Sequence, residues 1–181
     1  IIAVAALEEG VIGLNDTVNC TGIYKEISPA LRCWIYPGQH GPLDVVHGIQ
    51  NSCNVFFSEM GHRLSMDENG NYSPEFGIEK IRKYASLFGL DETSGIEIAE
   101  REPQMTTEKP EASSIGQGKN SYSNVQLSRY ITAVANKGTV FKLSLLDKMT
   151  DSQENLLEDF TPEVRSVIDV KDSTWNAVHT G

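Results

Sequence analysis

The chain has 181 residues, 39% of them hydrophobic and 8% aromatic, with a formal net charge of −10. That length suits one domain with a proper core and is too small for two comfortable ones. The acidic balance argues against nucleic acid or an anionic membrane as a partner, because phosphates are repelled. The longest apolar run, Ile1 to Leu7, is far short of the roughly 20 residues a bilayer crossing requires.

Ile1 to Glu9 reads as a helix with no capping residue in front of it, closed by Gly10. Val11 to Pro37 alternates short β-prone pieces (Thr17 to Asn19, Ile23-Tyr24, Trp34 to Tyr36) with turn residues, which predicts a small hairpin or irregular excursion. Leu43, Val46 and Ile49 are then spaced for one helix face, and Cys53, Phe56, Met60 and Leu64 for another. Between them Asn51, Ser52 and Asn54 read as a break, since their side chains compete for backbone partners. Ser52 and Asn54, two apart on a non-helical link, are expected to share a side, with Cys53 turned into the core. A hydroxyl relays protons while a carboxamide donates and accepts hydrogen bonds, so the pair suits acyl transfer.

Residues 65–74 form a polar, turn-rich loop. Phe76 to Phe88 is an amphipathic helix with Ile78, Ile81, Ala85 and Phe88 on one face and Glu79, Lys80, Arg82 and Lys83 on the other. Leu90 to Glu102 reads as a turn into a short strand at Ile96 to Ala99, and residues 103–112 as an exposed charged loop. The next helix opens on a capping box, Ser123 with Gln126, buries Leu127, Ile131, Val134 and Ala135, and closes at Gly138. Gly116-Gln117-Gly118 before it is a turn too short for a phosphate-cradle pattern. Phe141 to Asp151 is ambiguous. Thr161 to Val170 predicts a strand carrying Val164, Val167 and Val170. Ser173 to Gly181 starts like a helix capped by Ser173 or Asp172, with Trp175 and Val178 on one side.

Cys20, Cys33 and Cys53 form no C-x-x-C, and His40, His47, His62 and His179 are scattered, so neither a metal site nor a cofactor is expected. Cys53 reads as a small buried hydrophobe. Cys20 and Cys33 flank the excursion and either pair, if the domain lies outside the cytoplasm, or stay free. His40 reads as structural, and His47 and His62 as surface or capping residues.

The stretch His40 to Leu64, HGPLDVVHGIQNSCNVFFSEMGHRL, resembles the second active-site motif, S-x-N, of class B penicillin-binding protein transpeptidases. Further likenesses are the "AALE.G" run at Ala5 to Gly10, the "C.G……CW" insert from Cys20 to Trp34, the Gly116-Gln117-Gly118 turn, and SNVQLSRYITAVANKG at residues 123–138. Asn124 stands where the family usually has Pro. The resemblance implies an α+β fold, mainly helical: the helical lobe of the β-lactamase/transpeptidase-like fold, with short strands. Residues 1–181 are then expected to be a partial transpeptidase domain, truncated at both ends. Its nucleophilic Ser and partner Lys (S-x-x-K) would precede Ile1, and K-T-G would follow Gly181. His179-Thr180-Gly181 matches an H-T-G variant of that third motif but continues a helical pattern.

The implied activity is a D,D-transpeptidase that cross-links peptidoglycan stem peptides through a seryl acyl-enzyme outside the membrane and is acylated by β-lactams. Carried over by position, Ser52 would relay a proton, and Asn54 would hold the substrate amide and the Lys. The 181 residues alone are expected to be inactive and soluble, held to the membrane only through an anchor outside them. Expected partners are stem peptides, β-lactams and other cell-wall synthesis proteins. Trp34 reads as an anchor of the excursion, the other reading being a wall of the substrate groove. A β-lactamase or β-lactam sensor is the competing reading, against which the long insert speaks; a non-catalytic partner-binding module is the third.

Overall fold

The computed structural model describes residues 1–181. They group into two compact units: Ile1–Ala85 with Met105–Asn120 and Val170–Gly181, and Ser86–Gln104 with Ser121–Asp169.

In the first unit the opening apolar run becomes α1 (Ile2–Glu8), in which Ala3 to Leu7 are all buried. Gly10, at φ +70°, releases the chain from it in the left-handed region that glycine tolerates. The excursion that follows is two short antiparallel ladders. Strand β1 (Val18–Cys20) pairs with β4 (Gly41–Leu43), and β2 (Ile23–Tyr24) with β3 (Leu31–Arg32). Leu43 therefore belongs to a strand, not to the helix face the spacing suggested. Helices α2 (Val45–Gln50) and α3 (Asn54–Leu64) flank the predicted break. Phe56, Met60 and Leu64 of α3 are fully buried, as their spacing required.

Helix α4 (Pro74–Leu87) begins at a proline, with Ser73 Oγ accepting the Phe76 N–H. The first unit also contains α5 (Pro110–Ser113), inside the stretch read as an exposed loop. The correction has a physical source: Glu111 is fully buried, with its carboxylate held by His62 and the Tyr72 hydroxyl. Closing the unit is α7 (Asp172–Thr180), whose Trp175 is buried. Its first turn is tied by the Glu8 carboxylate, which accepts from the Lys171 N–H and the Thr174 hydroxyl, and not by an N-cap side chain. One core runs through α1, β1, α2, α3 and α7, with Leu7, Val18, Val45, Phe56, Met60 and Ala177 among its members.

The second unit carries α6 (Asn124–Ala135), and its capping box is present in full. The buried stripe is not the predicted one. Gln126, Arg129 and Ala133 are buried, while Leu127 and Ile131 are 41% and 59% exposed. The Arg129 guanidinium is wrapped by the loop after Gly89, and that wrapping turns its face of the helix inward. No strand forms at Ile96 to Ala99. Instead one carboxylate within that stretch and one just after it take up backbone and hydroxyl donors: Glu97 binds Ser144 and the Leu145 N–H, and Glu100 binds Ser94 and Ser123. Strands β5 (Thr139–Lys142) and β8 (Glu163–Val167) pair antiparallel, as do β6 (Lys148–Thr150) and β7 (Leu156–Asp159). Val164 and Val167 lie exposed on the two-stranded β5–β8 ladder.

Candidate active site

The Ser52-Cys53-Asn54 turn is shaped by the two helices it joins. Asp44 starts α2 by accepting the His47 N–H at 2.9 Å, and its carboxylate also meets His47 Nδ1 at 2.8 Å. That backbone N–H is the main reason Asp44 titrates below the ordinary aspartate range. Gly48 lets α2 approach α3 closely: a Cβ there would lie 2.7 Å from the Phe56 ring. The chain leaves α2 through Ser52 at φ +46°, a left-handed conformation unfavourable for a serine. Its N–H and that of Cys53 are satisfied by the carbonyls of Ile49 (2.9 Å) and Gly48 (3.0 Å). Cys53 then caps α3, its Sγ accepting the Phe56 N–H at 3.4 Å. Nothing in the sequence singled out a cysteine for that task. Ser52 is exposed, Cys53 fully buried and Asn54 half-buried.

The excursion grips this turn on both sides. Trp34 donates its indole N–H to the Asn51 carbonyl at 2.8 Å, and Asn54 donates its side-chain amide to the Arg32 carbonyl at 3.0 Å. Trp34 is 66% exposed, with its ring meeting His40 edge-on at 5.4 Å between centroids. It anchors the excursion to the turn from the surface side.

Beneath the turn the expectation of scattered cysteines and histidines is overturned. The ligating atoms of Cys20, Cys33, His40 and Cys53 lie within 4.8 Å of one another. Cys33 Sγ is 3.9 Å from Cys53 Sγ and 3.7 Å from His40 Nδ1. All three cysteines are buried free thiols, so Cys20 and Cys33 are not bridged. Pairing of β1 with β4 sets Cys20 opposite Gly41, beside His40, and the β2–β3 hairpin returns Cys33 to the same spot. Burial first, with the neighbouring Cys20 and Cys33 adding to it and the Phe56 N–H opposing, pushes the Cys53 thiol up to about 12. For Cys33 burial also works upward, but N–H groups of Ile35, Asn54 and Val55 outweigh it and bring the thiol below its usual value.

The remaining histidines are placed as follows. His47 is exposed against Asp44. His62, read from sequence as a surface or capping residue, has a partner distant in the chain: it lies 3.1 Å from the buried Glu111 and stacks on Tyr72 at 4.9 Å. His179 and Thr180 sit in α7 rather than on a strand.

A family model for the penicillin-binding protein transpeptidase domain matches residues 1–181. The chain belongs to the penicillin-binding protein transpeptidase family. It is 36% identical over 95 residues to stage V sporulation protein D of Bacillus subtilis, covering 52% of this chain and 13% of that protein. It is 25% identical over 197 residues to the peptidoglycan D,D-transpeptidase MrdA of Escherichia coli K12, covering 99% and 29%. Among solved structures, penicillin-binding protein 2B of Streptococcus pneumoniae strain 5204 superposes with a TM-score of 0.79 at 17% identity, covering 99% of this chain and 32% of that one. This transpeptidase-family chain thus spans less than a third of each relative, and the structural likeness bears out the α+β expectation. None of its helices is long and apolar enough to cross a membrane.

Proposed function

We propose that these residues form part of a serine-type D,D-transpeptidase that cross-links peptidoglycan stem peptides at the extracytoplasmic face of the cell membrane. In this reading an acylated serine and its lysine come from outside the 181 residues, since no Ser here has a Lys three positions on. Ser52 relays a proton between that lysine and the amine that leaves or attacks. Asn54 holds the substrate amide beside them, which reduces the orientational cost of acyl transfer. β-Lactams acylate the same serine in the whole protein, and residues 1–181 alone form no adduct.

The observation that carries this reading is the S-x-N turn itself. It lies between two packed helices, with an exposed hydroxyl at Ser52 and a carboxamide held at Asn54, in a chain matched by the transpeptidase family along its length. The test is the acylation rate of the whole protein by a fluorescent penicillin. Ser52→Ala should lower it by about 100-fold, the scale of a lost proton relay, with the circular dichroism spectrum and melting temperature retained. An unchanged rate removes Ser52 from the mechanism.

A further inference from the structure

Three thiols and one imidazole converge directly under the S-x-N turn, on residues that the transpeptidase chemistry above does not use. We propose that Cys20, Cys33, His40 and Cys53 bind one zinc(II) ion in a closed Cys3His site. Tetrahedral zinc, with bonds of about 2.3 Å to sulfur and about 2.0 Å to nitrogen, separates its ligand atoms by about 3.5–3.8 Å. Cys33 Sγ already lies 3.9 Å from Cys53 Sγ and 3.7 Å from His40 Nδ1, and no pair in the set exceeds 4.8 Å.

The donor set selects the ion. Three sulfurs and an imidazole are soft to borderline ligands, suited to zinc and unsuited to magnesium or calcium. Four protein ligands leave no open position, which marks a structural rather than a catalytic centre. Binding releases the three thiol protons and leaves one net negative charge among the ligands. The surroundings help accommodate that charge: the Phe56 N–H lies 3.4 Å from Cys53 Sγ. The positive end of α3 faces the same sulfur through its cap.

Packing alone is a poorer account of the cluster. His40 Nε2 is buried without a hydrogen-bond partner, and Nδ1 has only a sulfur 3.7 Å away. An imidazole with both nitrogens so poorly served is costly to bury. Coordination through Nδ1 satisfies one of them.

The ion would tie β1, the excursion and the start of β4 to Cys53, the middle residue of the turn. On the reading of Ser52 and Asn54 given above, the centre is therefore a positioning site for those two residues; the metal site itself does not depend on that reading.

The test uses purified whole protein, reduced and stripped with a chelator, then titrated with cobalt(II) and afterwards with zinc(II). One equivalent of cobalt should give thiolate charge-transfer absorption and intense tetrahedral d–d bands, which one equivalent of zinc bleaches. Zinc should also raise the melting temperature of the stripped protein, and Cys33→Ser or His40→Ala should weaken cobalt binding more than tenfold. The wild-type cobalt spectrum decides the matter even if those variants fold poorly. A spectrum without thiolate bands, or a disulfide among the three cysteines in freshly isolated protein, overturns the site. Ser52→Ala should keep one equivalent of zinc whatever its acylation rate. Bound zinc whose removal leaves wild-type acylation unchanged overturns the positioning role alone.

Discussion

Asn54 donates its side-chain amide to the backbone carbonyl of Arg32, 3.0 Å away, and so fastens the last residue of the S-x-N turn to the end of β3. The bond links two segments that lie far apart in the chain, and Asn54 is half-buried where it forms. Asn54→Asp keeps the size of the side chain but removes the donor and sets a carboxylate against a carbonyl. It should destabilise the protein by about 1–2 kcal/mol, read as a lower urea midpoint at unchanged m-value. It should also slow penicillin acylation, because the carboxamide of the proposed mechanism is gone. A midpoint equal to wild type would show that the Asn54–Arg32 bond contributes nothing to stability.

Arg129 is the largest fully buried side chain in the second unit. Its guanidinium donates to the carbonyls of Gly89, Thr93 (3.1 Å) and Glu92 (3.2 Å), and its only acidic contact is Glu92 at 3.5 Å. Burial presses its pKa down, and the three carbonyls replace for the two terminal nitrogens of the fork part of what water would give, while Nε stays buried without a partner. Arg129→Met should cost about 3 kcal/mol, since it strands those carbonyls in the interior. Arg129→Lys should recover only part of that loss, because a point charge cannot reach three divergent acceptors. Equal denaturation midpoints for the Lys variant and wild type would contradict the fork argument.

This residue also shows what the sequence could and could not convey. The limits of α4 and α7 and the Ser123–Gln126 box were legible because they rest on neighbours within one or two turns. For α6 the apolar spacing marked Leu127 and Ile131 as the buried face. Periodicity identifies a stripe but not what covers it: here Arg129 and Ala133 are buried instead, Arg129 by the loop from Gly89. At the candidate site the break between α2 and α3 was visible in Asn51, Ser52 and Asn54. The gathering of Cys20, Cys33, His40 and Cys53 was not, because it depends on the register of two ladders that no local pattern encodes. The pairing of His62 with Glu111 was hidden for the same reason.

Glu100 provides a pH-dependent contribution. Burial works to raise its pKa, but hydrogen bonds from the Ser123 and Ser94 hydroxyls and the Ser94 N–H outweigh this and bring it below the ordinary glutamate value. A carboxyl depressed in the folded state stabilises the fold fully above its unfolded pKa, about 4.3. That contribution is lost as pH falls through the lower folded value. Wild type should therefore lose stability on acidification below about pH 4.5, and Glu100→Gln should lose less over the same interval. Melting temperatures of the two proteins measured side by side from neutral to acid pH read the difference directly. Parallel curves would assign the acid sensitivity to other carboxylates, Glu9 with its Lys83, Tyr84 and Lys80 contacts being the next candidate.

Ser52 itself is held at φ +46°, a conformation that costs an L-residue roughly 1–2 kcal/mol and glycine almost nothing. Ser52→Ala removes the hydroxyl and keeps the strain. Ser52→Gly removes both, at the expense of about 0.5–1 kcal/mol from the greater freedom of the unfolded chain. The glycine variant should therefore be the more stable of the two by up to about 1.5 kcal/mol, although it has the smaller side chain. Both should be depressed in acylation, because neither carries the proton relay. The ordering separates the two roles of the position, since stability follows the backbone and acylation follows the hydroxyl. A Gly variant less stable than the Ala variant would mean that the turn is not strained at Ser52. A Gly variant that acylates at the wild-type rate would mean that the hydroxyl is not what the enzyme uses there.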